Sequence, residues 1–193
     1  LLFNPRATRY KARIPNSILQ IAASIDGKYA YAIVDGNLEE DPWHALLHYL
    51  ETGDYRYFAL SVMPGPQLKQ AIPFSKRAKE LFPGLTIIWG GYFASNQPEV
   101  VLQSGNVNYI VYGPGDKTFP ELLHHIENGL PVQSINNLIY VNGGKIVKTT
   151  KDELYDQDEL PALPYEKLNS FYPLKNYLGK TYLGRKTIAY HSS

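Results

Sequence analysis

His44 and His48 stand four residues apart in a stretch of helical periodicity, the spacing that turns two imidazoles to one helix face for a metal ion. The zinc-protease version of that pattern needs a Glu directly after the first His, and Ala45 occupies the place. The pair therefore reads as solvated or interfacial. His124 and His125 fall near the end of a helix, where a cation suits the dipole. Ser104-Gly105 lacks the flanking glycines of a nucleophile elbow, and no Ser-His-Asp set has local support. With no cysteine, disulfides, thiolate metal sites and a cysteine nucleophile are excluded. By itself the chain is expected to be non-catalytic.

The residues that could bind rather than react are grouped differently. Asn4-Pro5, Asp35-Gly36-Asn37, Ser61-Val62-Met63-Pro64-Gly65, Gly90-Gly91-Tyr92 and Gly113-Pro114-Gly115-Asp116 each follow a short β-rich run. Glycine permits a close approach to the backbone and a positive φ. Helix amino termini at the same edge would offer free N–H groups to an anion. Glycine-bearing loops gathered on one edge describe a groove for something long and partly anionic, such as a nucleotide tail. Gly113 to Gly115 is not a dinucleotide fingerprint, because no third glycine follows at the right offset. Arg6, Arg9, Lys11 and Arg13 make the loop after the first strand the most basic stretch, either a solvated loop or a docking surface for an anionic group or neighbouring domain.

To bring those loops together the chain must alternate strand and helix. Apolar residues at three- and four-residue spacing predict a helix over Pro15 to Ile25, and Gly27 ends it. Tyr29 to Val34 reads as a strand. Asp41-Pro42 is an N-cap with proline at the first helical position, opening a helix to Thr52. Tyr57 to Val62 is a strand. Gln67 to Phe82 is a helix, with a kink or late start expected at Pro73. Leu85 to Trp89 is a strand, Pro98 to Ser104 a short helix, Asn108 to Tyr112 a strand and Lys117 to Asn128 a helix. This β-α alternation predicts an α/β fold: a flavodoxin-like (Rossmann-like), five-stranded parallel sheet of order 2-1-3-4-5, covered on both faces. Ligands bind such sheets outside the carboxyl ends of the strands. Residues 138–150 are an appended β-hairpin around Asn142-Gly143-Gly144. The acidic, proline-bearing stretch that follows reads as a linker, so the expected organisation is an α/β domain over 1–150 and a second region over 151–193.

At 193 residues the chain can bury a sizeable core. Lys+Arg 19 against Asp+Glu 18 leaves a net charge of +1, which excludes a strongly basic nucleic-acid binder and an acidic disordered chain. The longest apolar stretch, near Leu85 to Ala94, is too short for a membrane span. With no signal peptide read, cytoplasm is the expected compartment. The apolar start at Leu1-Leu2-Phe3 and the β-rich end at Thr187 to His191 suggest a piece of a longer protein.

The ordered set resembles a known family. Its members run in the order Asn4-Pro5, Ile21-Ala22-Ala23, Val34-Asp35-Gly36-Asn37-Leu38, Leu60-Ser61-Val62-Met63, then Ile88-Trp89-Gly90-Gly91-Tyr92-Phe93-Ala94. Pro98-Glu99, Tyr109 to Asp116 with Thr118-Phe119, and Asn137-Leu138-Ile139-Tyr140 complete it. The stretch is similar to the amino-terminal cobalamin-binding domain of the cobalamin-dependent radical S-adenosylmethionine enzymes. That family includes the anaerobic magnesium-protoporphyrin monomethyl ester cyclase and several methyltransferases. The resemblance covers residues 1–150 and continues more weakly through Leu160-Pro161-Ala162-Leu163-Pro164.

The resemblance implies cobalamin as ligand, with its nucleotide tail against Ser61, Val62, Gly90, Gly91, Tyr92 and the Gly113-Pro114-Gly115 turn. It puts Asp35 and Asn37 near the groove mouth, and Met63 with Pro64 near the corrin face. It also implies a downstream radical domain holding a 4Fe-4S cluster and S-adenosylmethionine, with 151–193 as the linker and the start of its truncated barrel. A strand like Thr187 to His191, with Ser192-Ser193 after it, would then lead into a three-cysteine motif. The implied parent is an enzyme of cyclase or methyltransferase class. Residues 4–14 contain no histidine, so the Asp-x-His-x-x-Gly ligand of classical cobalamin domains is missing, as in many radical enzymes of this type. Two rival readings are a degenerate, non-binding scaffold or homodimerisation domain of the same fold and a stand-alone nucleotide binder.

Overall fold

The computed structural model describes residues 1–8, 10–152, 156–182 and 184–188. Five parallel strands form the expected sheet: β1 (Leu2–Asn4), β2 (Ile33–Asp35), β3 (Tyr57–Ser61), β4 (Thr86–Gly90) and β5 (Tyr109–Val111), in the order β2-β1-β3-β4-β5. The expected hairpin follows as β6 (Leu138–Asn142) and β7 (Lys145–Lys148). β6 pairs antiparallel with β5, Ile110 opposite Ile139, so the sheet has seven strands. Gly143 and Gly144 both take positive φ, at 56° and 76°, as a two-residue hairpin turn requires.

The helices cover both faces. α1 (Asn16–Ile25) and α6 (Thr118–Glu127) pack Ile18, Leu19, Ala22, Phe119 and Leu122 against Leu2, Ile33, Ala59 and Ile88 of the sheet. α2 (Pro42–Thr52), α3 (Leu68–Leu81), α4 (Gly91–Asn96) and α5 (Pro98–Gln103) cover the other face, over Phe3, Phe58, Ile87 and Trp89. Alternate residues of one strand thus feed opposite cores, as the two-residue strand period demands. The α2 start is built as expected: Asp41 Oδ1 accepts from the amides of Trp43 and His44, both at 3.1 Å.

Three local expectations change. β2 is only Ile33–Asp35, because residues 29–32 lie before its pairing with β1 begins. Of the two outcomes expected at Pro73, the late start does not occur: α3 runs from Leu68 through Pro73 to Leu81. The helix expected over 98–104 is preceded by α4, which begins directly at Gly91.

The acidic stretch after the hairpin leads to α7 (Tyr165–Phe171) and a short turn of helix at Leu174–Tyr177. Leu168 and Tyr177 are buried in the α1/α6 core. β8 (Gly179–Thr181) and β9 (Gly184–Thr187) form a second, two-stranded sheet. Of the strand expected over 187–191, Thr187 closes β9, and residues 189–191 lie outside the described residues, as do Arg9, Ser192 and Ser193. Among the described residues no helix is long and apolar enough to cross a membrane.

Candidate functional site

The carboxyl ends of β3, β4 and β5 open onto one cavity of about 230 Å³, beside Leu2 of β1. Its floor is Leu2, Ala59, Ile88 and Val111, the α1/α6 face of those strands, and its walls come from α1 and the start of α6. Ser61, Gly90, Gly91, Gly113, Pro114 and Gly115 all line it, so the two glycine turns meet on one edge as the alternation predicts.

The glycines make this space by different means. Gly91 has φ +85°, and a Cβ there would stand 2.7 Å from Val62 N and 2.8 Å from Val62 O. The turn from β4 into α4 therefore rides on the β3 backbone, with Val62 N donating to Gly90 O at 2.9 Å and Phe93 N donating to Val62 O at 3.0 Å. Gly90 is ordinary extended backbone, and a Cβ there meets only Val111 O at 3.6 Å and Leu60 O at 3.9 Å. Its missing side chain leaves the strand end open to the cavity.

The remaining expected residues divide between surface and support. Met63, on the loop after β3, and Tyr92, in the first turn of α4, are 51% and 62% exposed. Val62 is fully buried in the α2/α3 core, leaving its backbone to the turn. Asp35 is also fully buried. Its Oδ1 accepts from Asn4 Nδ2 at 2.8 Å and from Asn37 N and Nδ2 at 3.0 and 2.9 Å. Asn37 Oδ1 in turn accepts from the amides of Ala7 and Thr8, at 2.8 and 3.1 Å. Gln67 completes the network: Nε2 donates to Pro5 O at 2.9 Å, and Oε1 accepts from Met63 N at 2.6 Å. Asp35, Asn37 and Gln67 thus shape the loop after β1.

Of the basic residues on that loop, Arg6 is spent internally: Nε donates to Gly36 O at 2.6 Å and Nη2 to Glu39 O. Lys11 and Arg13 line a separate depression of about 460 Å³ with Asn4, Thr8, Asn37 and Gln67. Ser17 at the start of α1 lines both spaces.

Sequence reasoning missed the contribution of α1. Ser17, Gln20 and Ile21 line the cavity beside the glycine turns. Gln20 Nε2 is buried without a hydrogen-bond partner, a donor facing a desolvation cost until something accepts from it. A polar residue inside an otherwise apolar helix face is the signal that could have found it. His44 and His48 are exposed, and among the described residues no group of three or more His, Asp or Glu could hold a metal ion.

A family model described as B12 binding domain matches residues 7–123, from the loop after β1 into α6. A Pyrococcus horikoshii protein named as an uncharacterized methyltransferase is 22% identical over 156 residues, covering 80% of this chain and 34% of that protein. The chain thus spans about a third of the length of the curated relative it matches. Among solved structures, the cobalamin-dependent S-adenosylmethionine radical enzyme OxsB, with aqua-cobalamin and S-adenosylmethionine bound, superposes with a TM-score of 0.76 at 17% identity, over 90% of this chain and 25% of that one. The radical S-adenosylmethionine methyltransferase TsrM from Kitasatospora setae gives 0.67 at 20% identity, over 79% and 30%. At these identities the likeness is one of fold.

Proposed function

This chain belongs to the B12-binding domain family, and on that premise we propose that it binds cobalamin at the carboxyl edge of its sheet. The nucleotide tail would enter the cavity between α1 and α6, and the corrin would lie over the loops after β1 and β3. One observation carries this reading: a preformed, largely apolar cavity at that edge, open at Gly90 and flanked by the unpartnered Gln20 Nε2. Concave apolar sites with a few convergent polar groups are the usual form of a cofactor pocket.

The residues present fit the group. Leu2, Ala59, Ile88 and Val111 give an apolar floor for an aromatic base, and Gln20 offers it a donor. Ser61, Gly91 and the Gly113-Pro114-Gly115 turn border the path of the tail. Met63 and Tyr92 present exposed apolar surface to the corrin, while Asp35 and Asn37 act from beneath by holding the loop after β1. That loop has no histidine, so no imidazole from residues 4–14 would hold the cobalt. Bound cobalamin supplies the organometallic chemistry, and the protein supplies position and exclusion of water.

The finer reading is that the domain presents cobalamin to a radical S-adenosylmethionine domain with a 4Fe-4S cluster, for methyl transfer or ring-forming chemistry. Support comes from the relatives' names and from the small share of their length that this chain spans. Equilibrium dialysis against hydroxocobalamin tests the coarser claim. Saturable retention of one equivalent is expected; no retention at millimolar cofactor would favour the non-binding scaffold instead.

A further inference from the structure

The segment after the hairpin reaches back to the floor of the loop after β1. Tyr177, 2% exposed, donates its hydroxyl proton to Asp35 Oδ2 at 3.0 Å. Tyr172 takes the Asp35 amide proton on its hydroxyl oxygen at 3.1 Å and donates to Glu39 Oε1 at 2.6 Å. Both sides of Asp35 are then in use. Oδ2 faces the distant tyrosine, and Oδ1 holds Asn4 and Asn37. Asn37 holds the amides of Ala7 and Thr8, and Glu39 O holds the Arg6 guanidinium. A continuous chain of hydrogen bonds therefore runs from residues 172 and 177 to residues 6–8.

We infer that Tyr172 and Tyr177 are positioning residues that set the loop after β1 through Asp35, Glu39 and Asn37, so that docking of the 165–177 segment pre-shapes the cofactor-facing edge. The inference rests on the cobalamin reading only for what the loop contacts. The loop itself has no regular structure, and its amides at Arg6, Ala7 and Thr8 all donate to side chains: Gln70 Oε1 at 2.6 Å for the first, Asn37 Oδ1 for the others. A loop held by side chains rather than by a backbone ladder takes its shape from whatever fixes those side chains. Asp35 is what fixes Asn37, and the two phenols are what reach Asp35 from outside the parallel sheet. Buried networks of this kind specify one conformation when every member is satisfied.

The test uses Tyr177→Phe and Tyr172→Phe, which keep the packed rings and remove only the hydroxyls. Amide exchange is read at residues 6–8 and, as an internal reference, at β3 and β4. Faster exchange at residues 6–8 by about tenfold or more, with β3 and β4 unchanged, is expected for Tyr177→Phe, with a smaller effect for Tyr172→Phe. Hydroxocobalamin affinity, followed by visible absorption, should fall about tenfold in the same variants, which is about 1.4 kcal/mol of binding free energy. Unchanged exchange at residues 6–8 overturns the inference. So does faster exchange with unchanged affinity, since the loop would then be set without consequence for the edge. A uniform rise across β3 and β4 also overturns it, because the phenols would then be general stabilisers. Should wild type fail to bind hydroxocobalamin, the cobalamin reading falls and the exchange measurement alone decides the clasp. If Tyr177→Phe does not fold, Tyr172→Phe and Asn37→Ala carry the same comparison.

Discussion

Gly91 lies so close to Val62 that a Cβ on it would stand 2.7 Å from the Val62 amide nitrogen. Gly91 also holds φ at +85°, where an L side chain costs about 1–2 kcal/mol. The position is needed by the β4–α4 turn before any ligand arrives. Gly90, its neighbour, carries neither constraint.

The pair should therefore separate fold from binding. Gly91→Ala is expected to lose at least ~2 kcal/mol, a fall of at least ~4 °C in Tm for a chain of this size. Gly90→Val should leave Tm nearly unchanged and weaken cobalamin binding at least about tenfold by filling the strand end, ~1.4 kcal/mol. Thermal melts with and without hydroxocobalamin check both. Equal losses at the two positions would remove Gly90 from the site.

Gln20→Met replaces the unpartnered amide with an apolar side chain of similar shape. Relieving a buried, unsatisfied donor should leave the ligand-free protein as stable or up to ~1 kcal/mol more stable. Cobalamin affinity should fall about fivefold to tenfold, as one hydrogen bond of ~1 kcal/mol is lost. Urea unfolding and a cobalamin titration on the same samples measure the two effects, which have opposite signs for protein and complex.

Asp41→Ala serves as a control because Asp41 does not line the cavity. It removes the side-chain cap of α2 and should cost about 1 kcal/mol of stability. Cobalamin affinity should not change. A parallel loss of affinity would mean that binding tracks global stability.

Alkaline pH should loosen the segment that carries the two phenols. Burial raises both above their ordinary pKa of 10.0; for Tyr172 the bond to Glu39 adds to this, and for Tyr177 the Asp35 charge does. A raised phenol contributes stability that is complete below pH 10 and is lost as pH rises above it, because the unfolded chain then releases a proton that the folded one keeps. Urea midpoints at pH 9 and pH 11 should differ less in the Tyr172→Phe/Tyr177→Phe double variant than in wild type. Equal slopes would show that these hydroxyls do not govern the alkaline limb.

What the sequence revealed, and what it hid, follows the range of the interactions. The periodicity of Ile18, Ala22 and Ile25 and the Asp41-Pro42 cap are local, and both helices stand where they were expected. α4 was hidden because it is six residues long and opens on a glycine pair that reads as a turn. The pairing of Tyr109 with Tyr140 is not local, so the hairpin's place on the sheet edge had no signature in its own residues. The cavity was half legible. Glycine turns after β4 and β5 pointed to it, but the wall that α1 supplies through Ser17, Gln20 and Ile21 carried no motif of its own. The bond from Tyr177 to Asp35 spans 142 residues, and nothing near either residue announces it.

The central claim is that the cavity between α1 and α6 receives the nucleotide tail. Comparing hydroxocobalamin with cobinamide, which keeps the corrin and lacks the tail, measures this directly. By equilibrium dialysis, cobinamide should bind at least about a hundredfold more weakly, a loss of ~2.7 kcal/mol, and Gly90→Val should bring cobalamin down toward the cobinamide value while leaving cobinamide unaffected. Equal affinity for the two corrinoids, or no binding of either, would contradict the account.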